Sequence, residues 1–181
     1  SLSFIMISLG ISMILSITLV IRVWSQRQVS GQSALLIAAL MIAVLWWTSW
    51  YVLEIVTPNA EFKLFCNSVK FVGIAIVPVI WMLFGLHYTG RTQWLSLNRI
   101  ALLSIIPCIT IVMIATNASH HLFWETIGVK DVGSYSVTLS VKGIWFWAHS
   151  LYSYVLIMIA SFFLFRQFAG SPGLYRRQLF A

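Results

Sequence analysis

The stretch Ile144 to Phe168, IWFWAHSLYSYVLIMIASFFLFRQF, carries a single formal charge, Arg166, close to its end. A transmembrane helix needs about 20 predominantly apolar residues, and a segment hydrophobic on every face has no side to offer to water. Four earlier runs read the same way: Leu2 to Trp24, Ala34 to Val56, Phe62 to Tyr88 and Ile100 to Thr116. The sequence therefore predicts an all-α polytopic membrane protein, one domain over residues 1–181 with five transmembrane helices. The first run is too long for the apolar core of a signal peptide, has no basic segment before it and ends in Arg22 instead of a small-residue cleavage site. The missing initiator Met points to a trimmed N-terminus.

Composition agrees with this reading. Of the 181 residues 60% are hydrophobic and 8% charged, against about 45–50% and about 25% in soluble domains. The net charge of +7 raises nucleic-acid binding, but that needs Lys and Arg gathered on a polar face, and none exists. No nucleic-acid partner is expected; membrane lipid is. Cys66 and Cys108 stand apart, with no metal-ligand spacing around them, so neither a disulfide framework nor a metal site is expected.

The charges sort by connection. Arg22 and Arg27 follow the first span, Arg91 and Arg99 lie between the third and fourth, and Arg166, Arg176 and Arg177 follow the fifth. The four Lys (Lys63, Lys70, Lys130, Lys142) and the four acids (Glu54, Glu61, Glu125, Asp131) fall toward the other side, where they cancel. The positive-inside rule puts the Arg side in the cytoplasm, the N-terminus outside and the C-terminus inside. Connections on the Arg side, Ser25 to Ser33 and Thr89 to Arg99, are too short to house an active site. The long outer loop, 117–143, contains Ser134-Tyr-Ser-Val-Thr-Leu-Ser-Val141, whose alternation predicts a strand. A partner around Leu122 to Val129, turned through Lys130-Asp-Val-Gly133, completes a short extracellular β-hairpin over the outer mouth of the bundle. No internal repeat is visible, against a transporter built on inverted halves.

Ionisable groups within a span cost about 2.5–3.5 kcal/mol on insertion scales, so Glu54 and Lys70 need an account. Both lie in the outer half and are placed to pair, either as a structural ion pair or as a site for a polar ligand group. Trp47, Trp50, Tyr51 and Glu54 share one helical face, as do Trp145, His149 and Tyr152. An interfacial aromatic belt explains Trp145 and Trp147 well. It explains Trp47, two turns below Glu54, less well. Aromatic walls with one acid, one Lys and one His also make up a small-molecule pocket. His87, His120, His121 and His149 do not form a pair at matched depth for haem, and a retinal Schiff base has only Lys70, in an unusual place. No cofactor is expected. Asn117-Ala-Ser119 is a glycosylation sequon short enough to arise by chance. Pro78 and Pro107 each interrupt a span, giving kinks that serve packing or hinge motion.

Taken in order, Trp47...Tyr51-Val-Leu-Glu54, Lys63...Lys70-Phe-Val-Gly73, Pro78-Val-Ile-Trp81, Phe84-Gly-Leu-His-Tyr88-Thr-Gly90, Ile106-Pro107, Thr116-Asn-Ala-Ser-His120, Gly143-Ile-Trp-Phe-Trp147-Ala-His149-Ser-Leu-Tyr152-Ser-Tyr154 and Tyr175-Arg-Arg-Gln178 resemble the N-terminal seven-transmembrane sensor region of bacterial and archaeal histidine kinases. The resemblance runs over nearly the whole chain. It implies a prokaryotic inner-membrane receptor with an outer N-terminus, which hands a signal to a cytoplasmic output domain in cis, a histidine kinase or alternatively a diguanylate cyclase. It also implies a two-component phosphorelay whose catalysis lies outside this segment. The candidate ligand-binding set is Trp47, Trp50, Tyr51, Glu54, Lys70, Trp81, His149 and Tyr152. The chain has five spans where that family has seven, so the sixth and seventh helices and the output domain are expected beyond it. The expected partners are an unidentified small-molecule signal and a second copy in a homodimer. A transporter or membrane anchor subunit is the rival class, but below Lys70 the spans offer scattered Ser and Thr until His87.

Overall fold

The computed structural model of the protein describes residues 2–25, 27–133 and 135–170. The expected Tyr175-Arg-Arg-Gln178 segment, with Arg176 and Arg177, lies outside the described residues, as does Ser134. In chain order the elements are α1 (Leu2–Ser25), α2 (Arg27–Val56), α3 (Ala60–Tyr88), a 3-10 turn (Thr92–Trp94), α4 (Leu97–Ala115), the single-turn α5 (Asn117–His120), β1 (Trp124–Val132), β2 (Tyr135–Lys142) and α6 (Ile144–Ala169). Among the described residues α1, α2, α3, α4 and α6 are long and apolar enough to cross a membrane, so all five predicted spans are found.

Two boundaries differ from expectation. The first Arg-side connection is helical on both sides of residue 26, with its break at Gly31, whose φ of 60° and ψ of −149° interrupt α2; a residue without Cβ tolerates that conformation. In the hairpin, Lys130, Asp131 and Val132 belong to β1, whose pairing with β2 runs to Val132 opposite Tyr135. Gly133, at φ 70°, takes the positive φ that follows the end of β1 and that a residue without Cβ tolerates.

The helix ends follow from local chemistry. Pro58 cannot extend α2, and the Asn59 side chain accepts the Phe62 N–H at 2.8 Å to cap α3. At the far end Gly90, at φ 72°, closes α3.

Helix α3 is the centre of the bundle. It touches α2, α4, α6 and both strands, whereas α1 leans chiefly on α2; 33% of the α3 span is buried, against 6% of α1. Two glycines let backbones approach. A Cβ on Gly73 would stand 2.7 Å from the Ala43 carbonyl oxygen of α2, and one on Gly85 would stand 3.1 Å from the Ala160 Cβ of α6. Small residues at crossings are how helices associate in lipid, where no hydrophobic force drives them together.

The hairpin is seated on the bundle by Phe123 and Trp124, both nearly fully buried with Ile114. Phe71 of α3 meets the Phe123, Trp124 and Phe146 rings edge-on at 5.2, 5.6 and 6.4 Å. Asn117 joins loop to strand: its Oδ1 accepts the Phe123 and Trp124 N–H groups and its Nδ2 donates to the Trp124 carbonyl, all at 3.0 Å. Both ends of this buried amide are engaged, so the sequon asparagine is a structural latch.

Candidate functional site

Beneath the hairpin, α2 and α3 bring their charges together. Lys70 Nζ lies 2.5 Å from Glu54 Oε2, with side-chain exposures of 12% and 8%, and 4.8 Å from the Tyr51 ring centroid. The predicted pair thus forms, with an aromatic face beside the cation. Lys63, one turn past the α3 N-cap, is 1% exposed. Its Nζ donates to the Glu54 carbonyl at 2.5 Å and the Ser136 carbonyl at 3.1 Å. Sequence reasoning missed this residue, although a signal existed: a cation near a helix N-terminus opposes the macrodipole, so it needs acceptors elsewhere. The C-terminal carbonyls of α2 and the backbone of β2 supply them.

On α6, His149 is 5% exposed and sits in a closed network. Thr110 Oγ1 donates its one hydrogen to the Ile106 carbonyl at 2.8 Å and accepts from Trp145 Nε1 at 3.0 Å. It also lies 3.0 Å from His149 Nδ1. A hydroxyl has one hydrogen and two lone pairs, so the network assigns the imidazole hydrogen to Nδ1 and leaves Nε2 to accept from Ser153 Oγ at 3.3 Å. Thr110 is therefore fully satisfied, as its complete burial demands.

Tyr152 explains how Pro107 is accommodated. A proline has no N–H for the carbonyl four residues back, here Leu103, and Tyr152 Oη donates to that carbonyl at 2.5 Å. The hydroxyl of α6 replaces the bond that α4 lacks.

A cavity of about 480 Å³ lies among these elements, walled by Trp47 of α2, Phe71, Ile74 and Pro78 of α3, Phe146 and His149 of α6, and Lys142 at the end of β2. Of the candidate ligand-binding set it brings together Trp47 and His149, and Pro78, expected as a kink, also lines it. Tyr152 and the Glu54–Lys70–Tyr51 cluster are not in its wall, although Lys70 Nζ lies 5.9 Å from the Phe71 ring. Trp50 and Trp81 are not in its wall. Trp50 packs on Trp46 and Phe65 at 5.8 Å each, whereas the Trp81 indole donates to Ser161 Oγ at 3.2 Å further along α3 and α6. Lys142 and Phe71 were not singled out from sequence as lining residues.

The class of protein is thus a helical membrane bundle capped on one side by a hairpin, with a polar cluster and an aromatic-walled cavity beneath it. The chain belongs to the family described as the N-terminal 7TM region of histidine kinase, whose model matches residues 8–181. This region is a kinase's membrane input portion and not its catalytic part. No curated protein and no solved structure matches the chain.

Proposed function

We propose that the chain is the ligand-sensing input of a prokaryotic inner-membrane histidine kinase, with the hairpin outside the cell and the Arg-rich connections in the cytoplasm. The signal binds in the cavity among α2, α3 and α6, and helix displacement carries it to the output domain.

The observation that carries the reading is the double role of His149, which lines the cavity and is hydrogen-bonded to Thr110 of α4. A ligand pressing on the imidazole acts on α4 one turn from Pro107, where the helix lacks a backbone bond and leans on Tyr152. Helices interrupted in this way bend at the interruption. Family membership supports the direction of the signal, and charge asymmetry supports the orientation.

The test uses the whole protein in vesicles, with autophosphorylation as readout. Trp47→Ala and His149→Ala are expected to shift basal or signal-dependent output about fivefold or more, the scale of a coupling free energy between sites, with insertion unchanged. Trp94→Ala, under the Arg99 guanidinium at 4.7 Å and remote from the cavity, leaves output alone. Solute uptake into sealed vesicles that disappears in the His149 variant would instead make the protein a transporter.

A further inference from the structure

The region under the hairpin holds more positive charge than it neutralises. Lys63, Lys70 and Lys142 converge there with one carboxylate, Glu54. Lys70 takes that carboxylate, and Lys63 is held by backbone carbonyls. Lys142, in the cavity wall, has no carboxylate side chain within ion-pairing distance among the described residues. Its Nζ donates to Ser140 Oγ at 2.8 Å and otherwise faces the Phe146 and Phe71 rings at 4.9 and 5.8 Å.

Unpartnered polar atoms lie along the same strip. Among the described residues, the buried atoms without a hydrogen-bond partner are Asn67 Nδ2, Trp124 Nε1 and Thr138 Oγ1; Asn67 and Trp124 are 5% and 2% exposed. Trp124 is the cross-strand partner of Lys142, and both meet the Phe71 ring. Asn67 stands one turn from Phe71 and one turn from Lys63 on α3. Thr138 stands between Ser136, which Lys63 contacts, and Lys142 on β2. These atoms have almost no accessible surface and none of their residues lines the cavity, so the cation that faces an occupant is Lys142.

We infer that the cavity takes an amphiphilic monoanion, its carboxylate or equivalent acid group held by the Lys142 ammonium, and its apolar body lying against Trp47, Ile74 and Phe146. The inference rests on the sensory reading above and names the ligand class of that site. An acid headgroup of a membrane lipid and a free short-chain acid present the same chemistry.

The test is saturable binding of radiolabelled octanoate to the full-length protein in nanodiscs of zwitterionic lipid. Octanoate is expected to bind saturably and to be displaced by unlabelled octanoate at least about tenfold better than by octanol or octylamine, a charge-pair difference of about 1.4 kcal/mol. Lys142→Gln should weaken it about tenfold. Lys142→Arg, which keeps the charge, should bind nearly as the parent does, and this separates lost charge from lost folding. In phosphatidylglycerol nanodiscs, loss of octanoate binding would identify a lipid headgroup as the occupant, and retention a free acid; both support the anion site. Octanol competing as well as octanoate, binding indifferent to Lys142→Gln, or no saturable binding would each overturn it. The first of these leaves a neutral ligand and an intact sensory reading. Octanoate binding with an output unmoved by the cavity variants described above would leave the anion site standing without sensing.

Discussion

Glu54 and Lys70 illustrate what a buried pair does and does not contribute. Each charge loses hydration on entering the bundle, and their mutual attraction roughly offsets that loss, so exchanging both for apolar residues of similar size is expected to be near neutral. Removing one strands the other: Glu54→Gln or Lys70→Met alone should cost about 3–5 kcal/mol, measured as unfolding in detergent mixtures. Equal losses from single and double variants would show the two to be independent. Lys142 gives a pH signature. Burial lowers its pKa below the 10.5 of a free lysine, the Lys70 ammonium pushes the same way, and the Glu54 carboxylate opposes them. The folded state thus binds fewer protons than the unfolded chain between the lowered pKa and 10.5, and stability rises with pH across that window. NMR titration of methylated lysines should place Lys142 below 10.5, with Lys70→Met moving its midpoint upward; an unmoved midpoint would mean the two amines do not interact.

Between elements, the bond from Tyr152 to the Leu103 carbonyl decides how α4 tolerates Pro107. Tyr152→Phe leaves a buried carbonyl unpaired, at about 1–3 kcal/mol. With Pro107→Ala the peptide N–H returns to that carbonyl, so Tyr152→Phe in this background should cost much less. Thermal unfolding of the four proteins in this cycle checks the coupling, and additive losses would place the hydroxyl's partner elsewhere. Both residues were visible in sequence, Pro107 as a kink and Tyr152 as an aromatic on the His149 face, yet nothing local connected them. They are 45 positions apart, and the depth at which α4 and α6 meet is set by packing. The hairpin shows the same limit. Alternation marked its second strand but did not say which face turns inward. Leu139 and Val141 are about half exposed, at 52% and 53%, while the Thr138 hydroxyl is buried and Lys142 reaches the cavity. The polar face covers the bundle, the reverse of a simple apolar-inside rule.

For the whole molecule, the proposed orientation is open to direct measurement. Cys66 is fully buried and Cys108 exposed on α4, so Cys66→Ser with Cys108→Ser gives a clean background. In intact cells Leu139→Cys on the hairpin should react with a membrane-impermeant thiol reagent, and Ser96→Cys at the start of α4 should not; the opposite pattern would invert the proposed topology. By itself the sequence determined the number of the spans and the location of the hairpin between α4 and α6, and it marked Glu54 and Lys70 as charges placed to pair. Each of these depends on local transfer free energy, on side-chain alternation, or on the high cost of a lone charge in lipid, and all three can be read along the chain. Only the tertiary structure decided that Trp47 and His149 share a cavity while Trp50 and Trp81 lie outside it. It alone decided that Lys63 ties β2 to the end of α2, and that Lys142 stands in the cavity wall with no ion-paired carboxylate among the described residues. These depend on the azimuth of each helix about its axis, and in a segment hydrophobic on every face the sequence leaves that angle to the glycines and hydrogen bonds through which the helices meet.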